Sequence, residues 1–551
     1  MFAISRVHVV IACLFALAAG MSARIVLLHL FDKDFLQDQG DARTIRMERI
    51  NAHRGMIRDR EGKPLAISAP VISLWANPKE LKDQAGIDQL ALMFDVTPAE
   101  FRKKLERSEG KDFVYLRRHM PPPEAQKIMS LDVKGVYAER EYQRFYPAGE
   151  VAAHLVGYTD IDDNGQEGVE LSFNNWLQGT PGKKKVLKNL YGDIVRDIKP
   201  MVEAKPGKSL DLSVDLRLQY LAYRELKSAV AYNKAHSGSI VMLDVQTGKV
   251  LAMVNAPSYN PNNRTNLDMS AVRNRAVTDV FEPGSTVKPF TIAVALESGK
   301  YQPDSTIDTS PGFVHIDGKT IPDPTNYGVL TLAGIIAKSS QVGVSKLALT
   351  LNPNDIWNMF QSVGFGQATG IGFPGERSGE LPTHARWADI ERATFAFGYG
   401  FLVTPLQLAA AYLTIADGGV KRDVSILNDT PVAQGVRVMD EHVAQEIRLM
   451  LQGVVKRGTG RRASIDGYTV AGKTGTVRKV SNGNYEDTSH LAFFAGMAPA
   501  INPRVVTVVM INDPKAGSYG GGSVAAPVFS RVVAGALRLL NVPPDDVSGA
   551  S

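Results

Sequence analysis

The chain has 551 residues, more than one domain usually holds, so two or three domains are expected. Hydrophobic residues make up 44% and charged residues 22%, ordinary globular values that exclude a disordered or fibrous class. The formal net charge of +5 is spread without a concentrated basic tract, so no nucleic-acid partner is indicated.

An apolar stretch near the amino terminus, residues 7–31, is long enough to cross a lipid bilayer. A cleaved signal peptide ending at residues 21–23 is the alternative, but apolar residues continue to Leu28 and favour a retained single-pass anchor. Cys13 is the only cysteine, so an intramolecular disulfide is excluded. We expect residues 1–31 to form a cytoplasmic amino terminus and membrane anchor, typical of a bacterial inner-membrane protein with a periplasmic body.

Residues 32–206 are predicted to form a first folded domain of mixed α/β type. A strand edge and turn is predicted at residues 54–62 and a strand at 71–76. Two helices that begin at prolines are predicted at 98–107 and 122–130, and an exposed hairpin at 183–185. The Arg and Asp side chains of the first element are interpreted as a structural ion-pair network. The acidic loop at residues 160–165 lacks the spacing of a calcium-binding loop and is interpreted as a turn.

A change of composition near residues 205–207 marks the predicted start of a second domain, which extends to residue 543 and leaves a tail at residues 544–551. We predict an alternating strand at residues 209–215, a helix with one apolar face at 218–230 and a hairpin at 238–254. Three strands and an amphipathic helix are predicted at residues 468–472, 490–495, 504–511 and 529–540. Antiparallel pairing of these strands predicts an α+β fold, a central antiparallel sheet flanked by helices.

Ser285 and Lys288 form an S-x-x-K motif behind Pro283 and Gly284, which suit a sharp turn into a helix. Three residues span less than one helical turn, so the hydroxyl and the amine lie on the same face. A serine becomes nucleophilic only beside a base, and a lysine is that base only when burial or a second cation favours its neutral form. The motif is common by chance, so its meaning depends on the rest of the chain.

Two further motifs follow in the order that serine-lysine acyltransferases require. Residues 339–341, Ser-Ser-Gln, follow a predicted helix and supply a second hydroxyl and a side-chain amide. Residues 473–476, Lys-Thr-Gly-Thr, follow the predicted strand at 468–472 and supply a cation, hydroxyls and backbone donors. Gly475 is expected to let the substrate backbone approach closely.

These motifs resemble those of class B penicillin-binding proteins, specifically the division-type peptidoglycan D,D-transpeptidases of the penicillin-binding protein 3 or FtsI family. The similarity covers nearly the whole chain, with the single anchor and residues 54–62, 144–149, 167–170, 274–276, 281–290 and 471–476. It implies a pedestal domain, similar to penicillin-binding protein dimerisation domains, and a transpeptidase domain of the penicilloyl-serine transferase (β-lactamase-like) fold. It also implies a place at the division septum beside an FtsW-type glycosyltransferase and other divisome membrane proteins.

The resemblance implies a role for each catalytic residue. Ser285 attacks the penultimate D-alanine carbonyl of a stem pentapeptide ending in D-Ala-D-Ala, and neutral Lys288 takes its proton. Ser339 relays a proton to the leaving D-alanine, and Lys473 depresses the pKa of Lys288. An acceptor amine from a neighbouring stem peptide then resolves the acyl-enzyme.

The same resemblance implies the substrate-binding residues, which are Gln341, Thr474, Gly475 and Thr476. The two threonines bind the terminal carboxylate, and the backbone N–H groups of Ser285 and Thr476 form the oxyanion hole. β-Lactams acylate Ser285 as mimics of D-Ala-D-Ala. No metal and no cofactor is expected.

Position 341 departs from the family pattern, which has asparagine there. Glutamine keeps the amide but adds a methylene, so we expect its hydrogen bond to substrate to be re-aimed or weakened. An accessory paralogue of a main division enzyme is one hypothesis. A D,D-carboxypeptidase or β-lactamase, and a division scaffold or β-lactam sensor with a decayed site, are the rivals; the anchor, the first domain and the lack of an E-x-x-L-N motif disfavour a β-lactamase.

Overall fold

The computed structural model describes residues 6–30, 34, 45–188, 194–383, 386–481 and 484–546. The chain folds into two units, each assembled from three stretches of sequence. The first unit comprises Met1–Arg54, Pro70–Tyr142 and Gln178–Gly207, and the second comprises Gly55–Ala69, Gln143–Leu177 and Lys208–Ser551. The chain therefore passes several times from one unit to the other.

A single helix near the amino terminus, Arg6–Leu30, carries the apolar stretch. Its 25 residues extend about 38 Å at the usual helical rise, more than the roughly 30 Å of a bilayer's hydrocarbon core. Large apolar side chains along it, such as Phe15 and Met21, are exposed. The helix is thus long and apolar enough to cross a membrane. Phe31, the end of the predicted anchor, lies outside the described residues.

The first unit contains a three-stranded antiparallel sheet and a separate small core. The sheet has the order Ile45–Ile50, Gly182–Lys188, Ile194–Val202. The core is built from strand Val114–Met120, the second half of strand Pro64–Ala76, the start of strand Val136–Phe145, and helices Gln84–Met93, Pro98–Glu106 and Pro122–Met129. Both proline-initiated helices and the predicted strand at 71–76 are confirmed, and the lysines at 183–185 lie in a hairpin strand.

A five-stranded antiparallel sheet forms the centre of the second unit, which confirms the predicted α+β fold. Its strands have the spatial order Val250–Ala256, Ser237–Asp244, Val505–Asn512, Asn484–Ala498, Ala471–Ser481. Successive side chains point to opposite faces, so Val508 packs in the larger core cluster and Val509 in the smaller one. The sheet therefore has two buried faces.

Helices cover both faces of this sheet. The smaller cluster is completed by Leu216–Tyr232 and Ala526–Leu539, and the larger by Lys288–Glu297, Leu332–Lys338, Gln341–Thr350, Pro405–Ala416 and Glu441–Arg457. The other helices and helical turns are Gly149–Val151, Ala153–Val156, Gly168–Ser172, Asn174–Leu177, Met269–Val272, Arg275–Thr278, Gly284–Val287, Pro353–Ser362, Asp389–Phe395, Arg461–Ala463 and Gly521–Val524. Short strands are Ile57–Arg58, Leu210–Asp211, Thr306–Asp308, Phe313–Ile316, Lys319–Pro322, Val329–Thr331, Val420–Lys421 and Val436–Arg437.

Each unit is assembled from several stretches of the chain, whereas the domains predicted from the sequence are contiguous. Residues 55–69 and 143–177 fold with the second unit, although both lie within the predicted first domain at 32–206. One cause is an ion pair between residues that are distant in sequence. Arg58 donates from Nε and Nη2 to the two carboxylate oxygens of Asp211, at 2.6 and 2.8 Å. The predicted ion-pair network at 54–62 thus holds this segment to the second unit.

Polar contacts within the segment 143–177 stabilise its own fold. Arg144 donates from Nε to Glu170 at 2.6 Å, and both side chains are almost fully buried. In the acidic loop, Asp160 accepts from the backbone amides of Asp162 and Asn164, each at 2.9 Å. This carboxylate therefore closes a turn, the interpretation that the sequence favours.

Two predicted strands are wrong in extent. The strand expected at 468–472 is Ala471–Ser481, so the motif at 473–476 lies inside the strand and not behind it. The strand begins late because the amide of Thr469 donates to the carboxylate of Asp545 at 2.7 Å instead of to a neighbouring strand. This contact also gives the first residues of the predicted tail a fixed partner.

The second error is the strand expected at 209–215, which contains only Leu210–Asp211. The alternation of apolar residues is real, and Leu212 and Val214 are buried. The strand is short because Asp215 is the N-cap of the next helix and accepts from the amide of Arg217.

Candidate active site

Ser285 lies in a tight 3-10 turn, Gly284–Val287, that leads directly into the helix Lys288–Glu297. Gly284 has a φ of +51°, a conformation that favours glycine. A Cβ added at Gly284 would lie 2.6 Å from Cγ1 of Val477 on the neighbouring strand. Glycine at this position therefore lets the serine turn pack closely against that strand.

The middle motif lies at the junction of two helices. The helix Leu332–Lys338, as predicted, ends at Ser339, whose φ of 61° and ψ of 34° are left-handed. Ser340 begins the next helix by accepting from the amide of Gly343 at 2.8 Å, and Gln341 is that helix's first residue. A left-handed serine costs about 1–2 kcal/mol, so the surrounding contacts must hold Ser339 in place.

Lys473, Thr474 and Thr476 lie on Ala471–Ser481, the edge strand of the five-stranded sheet. Lys473 and Thr474 are buried, whereas Thr476 is exposed. The hydroxyl of Thr476 accepts from the amide of Gly521 at 2.9 Å. An edge strand keeps a row of backbone groups that an extended peptide can pair with.

Gly475 also has a packing role within the sheet. A Cβ there would lie 1.9 Å from Cε2 of Phe493, because the aromatic ring on the paired strand fills that space. A Cβ on Gly521 would lie 2.4 Å from the carbonyl oxygen of Gly475. The glycine is thus required by packing inside the sheet and against its neighbour, which the local sequence does not reveal.

The hydroxyl of Ser339 is the centre of the site. Ser339 Oγ donates to Ser285 Oγ at 2.9 Å and accepts from Lys473 Nζ at 2.9 Å. Lys288 Nζ donates to the carbonyl oxygen of Ser339 at 2.6 Å and to its Oγ at 3.3 Å. Among the described residues, the hydrogen bonds of Lys288 go to Ser339 and none goes to Ser285. The structure thus brings two hydroxyls and two amines together.

Both lysines are fully buried, and burial changes their acidity. Loss of hydration lowers the pKa of Lys288 well below its ordinary value, and the nearby charge of Lys473 lowers it further. Burial also lowers the pKa of Lys473, to about 7. Both amines therefore lose their protons at lower pH than an exposed lysine does.

Asp323 is a site residue that the sequence did not reveal. Its Oδ1 accepts from the amides of Gln341, at 2.6 Å, and Val342, at 3.2 Å, while Ser340 Oγ donates to Oδ2. Its charge partly offsets the lowering of the Lys288 pKa. Asp323 is distant from these residues in sequence and belongs to no recognisable short motif, so only the fold shows its role.

Gln341 is fixed by its backbone. The amide hydrogen bond to Asp323 holds the start of the helix, whereas none of the hydrogen bonds found for the described residues involves the Gln341 side chain. That side chain is half-buried. Its amide is therefore available for a ligand in the cleft.

Within the described residues, no group of three or more His, Cys, Asp and Glu side chains is arranged to hold a metal ion. The site consists instead of hydroxyls and amines beside an edge strand. Two serine hydroxyls and two buried lysines of lowered pKa are the groups that a serine-lysine acyltransferase site of the penicilloyl-serine transferase class requires.

Comparison with protein families agrees with this class. Residues 238–534 match the penicillin binding protein transpeptidase domain, and residues 49–212 match the penicillin-binding protein dimerisation domain. The chain belongs to the penicillin-binding protein transpeptidase family.

Similar proteins extend over nearly the whole chain. The peptidoglycan D,D-transpeptidase FtsI of Escherichia coli is 44% identical over 547 residues, which cover 98% of this chain and 92% of that protein. The probable peptidoglycan D,D-transpeptidase PbpC of Pseudomonas aeruginosa is also 44% identical, over 98% of this chain and 96% of the relative. Penicillin-binding protein 3 of Mycobacterium tuberculosis, in complex with aztreonam, is 28% identical with a TM-score of 0.71 and covers 91% of this chain and 98% of that one.

Proposed function

We propose that Ser285, Ser339, Lys288 and Lys473 carry out acyl transfer in this chain, which is a peptidoglycan D,D-transpeptidase. The observation that carries the proposal is the central position of the Ser339 hydroxyl, 2.9 Å from both Ser285 Oγ and Lys473 Nζ. The relatives named as peptidoglycan D,D-transpeptidases support the reaction type. The substrate is the stem peptide of peptidoglycan, and β-lactams acylate the same serine.

In the first half-reaction, Ser285 Oγ forms a bond to the carbonyl carbon of the penultimate D-alanine. Its proton passes through the Ser339 hydroxyl to neutral Lys288, because Ser339 lies between them and hydroxyl protons rotate freely. The amide bond to the terminal D-alanine then breaks. The leaving nitrogen takes a proton back along the same path, so that D-alanine departs as a neutral amine.

In the second half-reaction, an acceptor amine from a neighbouring stem peptide attacks the acyl-enzyme. The amine forms the new amide bond, its proton returns through Ser339, and the ester bond to Ser285 breaks. The backbone N–H groups of Ser285 and Thr476 stabilise the oxyanion in both steps. The product is a cross-link between two stem peptides.

The substrate is bound along the edge strand. The hydroxyls of Thr474 and Thr476 and the cation of Lys473 bind the terminal carboxylate. The Gln341 amide holds the substrate backbone from the opposite side of the cleft. Gly475 contributes backbone groups only, since the space beside its Cα is filled by Phe493.

The location and partners form part of the same proposal. The apolar helix Arg6–Leu30 and the relatives named FtsI support a single-pass protein of the bacterial inner membrane. Its body lies in the periplasm at the division septum, beside an FtsW-type glycosyltransferase and other divisome membrane proteins. The division into an anchor, a pedestal domain at 32–206 and a transpeptidase domain at 207–543 belongs to this proposal as well.

The test is covalent labelling of the full-length protein in detergent with a fluorescent penicillin. The wild type should give a stable adduct that persists for hours, and Ser285→Ala should give none. Ser345→Ala is the matched control, because Ser345 is a buried serine whose Oγ has no hydrogen-bond partner among the described residues.

The rival functions predict other results. Rapid loss of the adduct would identify a D,D-carboxypeptidase or β-lactamase, which transfers the acyl group to water. Absence of any adduct would identify a scaffold or sensor with a decayed site. Normal growth of a strain that lacks the protein would support the accessory-paralogue hypothesis, and lethality would oppose it.

A further inference from the structure

Thr459 lies in the loop that follows the helix Glu441–Arg457, and its hydroxyl is 2.8 Å from that of Thr474. Thr474 is buried on the edge strand, with 8% of its surface exposed, whereas Thr459 is exposed. Among the described residues, Thr459 is the one hydrogen-bond partner found for the Thr474 hydroxyl. The two threonines are therefore paired beside the edge strand that carries Lys473.

The backbone of Thr459 is fixed by contacts with two other segments near the site. Its amide donates at 3.3 Å to the carbonyl oxygen of Ala337, which lies two residues before Ser339. A Cβ on Gly522 would lie 2.4 Å from the carbonyl oxygen of Thr459, so the backbone at Gly522 packs directly on this loop. Thr459 is thus held in position, and its hydroxyl is not an adventitious neighbour.

Each threonine hydroxyl has one proton to donate. A carboxylate can only accept hydrogen bonds, so a Thr474 hydroxyl that binds the substrate carboxylate must direct its proton to the ligand. The hydrogen bond between the two threonines then has a single possible direction, in which Thr459 donates and Thr474 accepts. Such chains of hydroxyls also strengthen the terminal bond by polarisation.

We propose that Thr459 is a positioning residue of the carboxylate subsite, which donates to Thr474 and so fixes the direction of the Thr474 proton. The inference rests on the proposed function, because it requires Thr474 to bind the terminal carboxylate of the acyl donor or of a β-lactam. It gives the loop after Glu441–Arg457 a part in recognising substrate, although this loop belongs to none of the three motifs.

The test compares two probes on the full-length protein in detergent. One is a penicillin with its free carboxylate, and the other is the methyl ester of the same penicillin; acylation of both is followed by intact mass. Thr459→Val keeps the shape of the side chain and removes the hydroxyl. It should lower the second-order acylation rate about tenfold for the acid and leave the ester rate unchanged.

Two further variants separate positioning from a structural effect. Thr459→Ser restores the hydroxyl and should acylate within about twofold of the wild type. In the Thr474→Val background, Thr459→Val should cause no additional loss, because a positioning residue acts through its partner.

Each contrary result has a defined meaning. Equal slowing of acid and ester, or a full additional loss in the Thr474→Val background, would overturn the positioning role of Thr459. An unchanged rate for Thr459→Val with the acid would do the same. Failure of the wild type to be acylated by either probe would overturn the proposed function instead.

Discussion

The amine of Lys288 donates to the carbonyl oxygen of Ser339 at 2.6 Å, so the proposed base is held by the backbone of the proposed relay residue. Ser339 has a left-handed backbone, which turns its carbonyl toward the lysine at the end of a helix. The relay hydroxyl and the base are therefore positioned together. Any change that moves this junction moves both.

Removal of the relay hydroxyl should abolish most of the acylation without moving Lys288. Ser339→Ala leaves the carbonyl oxygen in place and deletes the Oγ atom that contacts both Ser285 and Lys473. We expect the rate of acylation by fluorescent penicillin to fall about 100-fold or more. Ser345→Ala should acylate like the wild type; equal loss in both variants would show that helix packing, not the relay, is at fault.

The acylation rate should depend on pH through two lysines. Lys288 must be neutral to accept a proton, so the rate rises with pH through its pKa, which burial and Lys473 place well below the ordinary value. Lys473 is a cation below its pKa of about 7 and loses that charge above it. The rate constant of the free enzyme should therefore pass through a maximum and decline above neutral pH.

The measurement is the second-order rate of acylation between about pH 5 and pH 9. A rate that keeps rising toward the ordinary lysine pKa of about 10.4 would contradict the assignment of a depressed Lys288 pKa. Binding of a carboxylate should raise the pKa of Lys473, so the decline should move to higher pH at saturating ligand.

Asp323 should affect both the rate and its pH dependence. Asp323→Asn keeps the shape of the side chain but removes a negative charge that raises the Lys288 pKa. The acidic limb of the pH–rate profile, where the rate rises with pH, should therefore move to lower pH. Weaker hydrogen bonds to the Gln341 and Val342 amides should slow acylation about tenfold. Asp304→Asn, which changes an exposed aspartate of the same unit, is the control and should change neither the rate nor its pH dependence. An unshifted acidic limb in Asp323→Asn would show that its charge does not reach Lys288.

Substitution at position 341 should change ligand binding with little effect on stability. The described contact of Gln341 is the hydrogen bond from its backbone amide to Asp323, which any residue except proline can make at this position. We expect the rate of acylation by penicillin to be highest for Gln341→Asn, lower for the wild type and lowest for Gln341→Ala, with steps of about threefold to tenfold. Thermal unfolding midpoints should stay within about 2 °C of the wild type. Equal rates for Gln341→Ala and the wild type would show that the amide does not touch the ligand.

The buried ion pair of Arg144 and Glu170 should matter mainly when one partner is removed. Glu170→Gln leaves the Arg144 charge buried without compensation, which costs about 3–5 kcal/mol and should lower the thermal unfolding midpoint. Replacement of both by apolar residues should restore much of the loss. Asp112→Asn, in an exposed pair with Lys79, is the control and should leave the midpoint nearly unchanged. A small effect of Glu170→Gln would show that water reaches the pair.

Local patterns in the sequence were sufficient for much of the architecture. The helix predicted before residues 339–341 is present as Leu332–Lys338, the strand predicted at 504–511 is present as Val505–Asn512, and proline marks the start of Pro98–Glu106. These features depend on residues within a few positions of each other, because helix caps and side-chain alternation are short-range effects. The order of the three motifs was likewise enough to identify the type of site.

Contacts between residues distant in sequence decided the rest. The strand that carries Lys473 begins late because Thr469 bonds to Asp545, and Gly475 is glycine because Phe493 fills the space beside it. Asp323 and Thr459 join the site through hydrogen bonds to residues from other elements. The sequence by itself thus determined which chemical groups the protein uses, while their distances, burial and lowered pKa values arise only when the sheet and helices pack and exclude water.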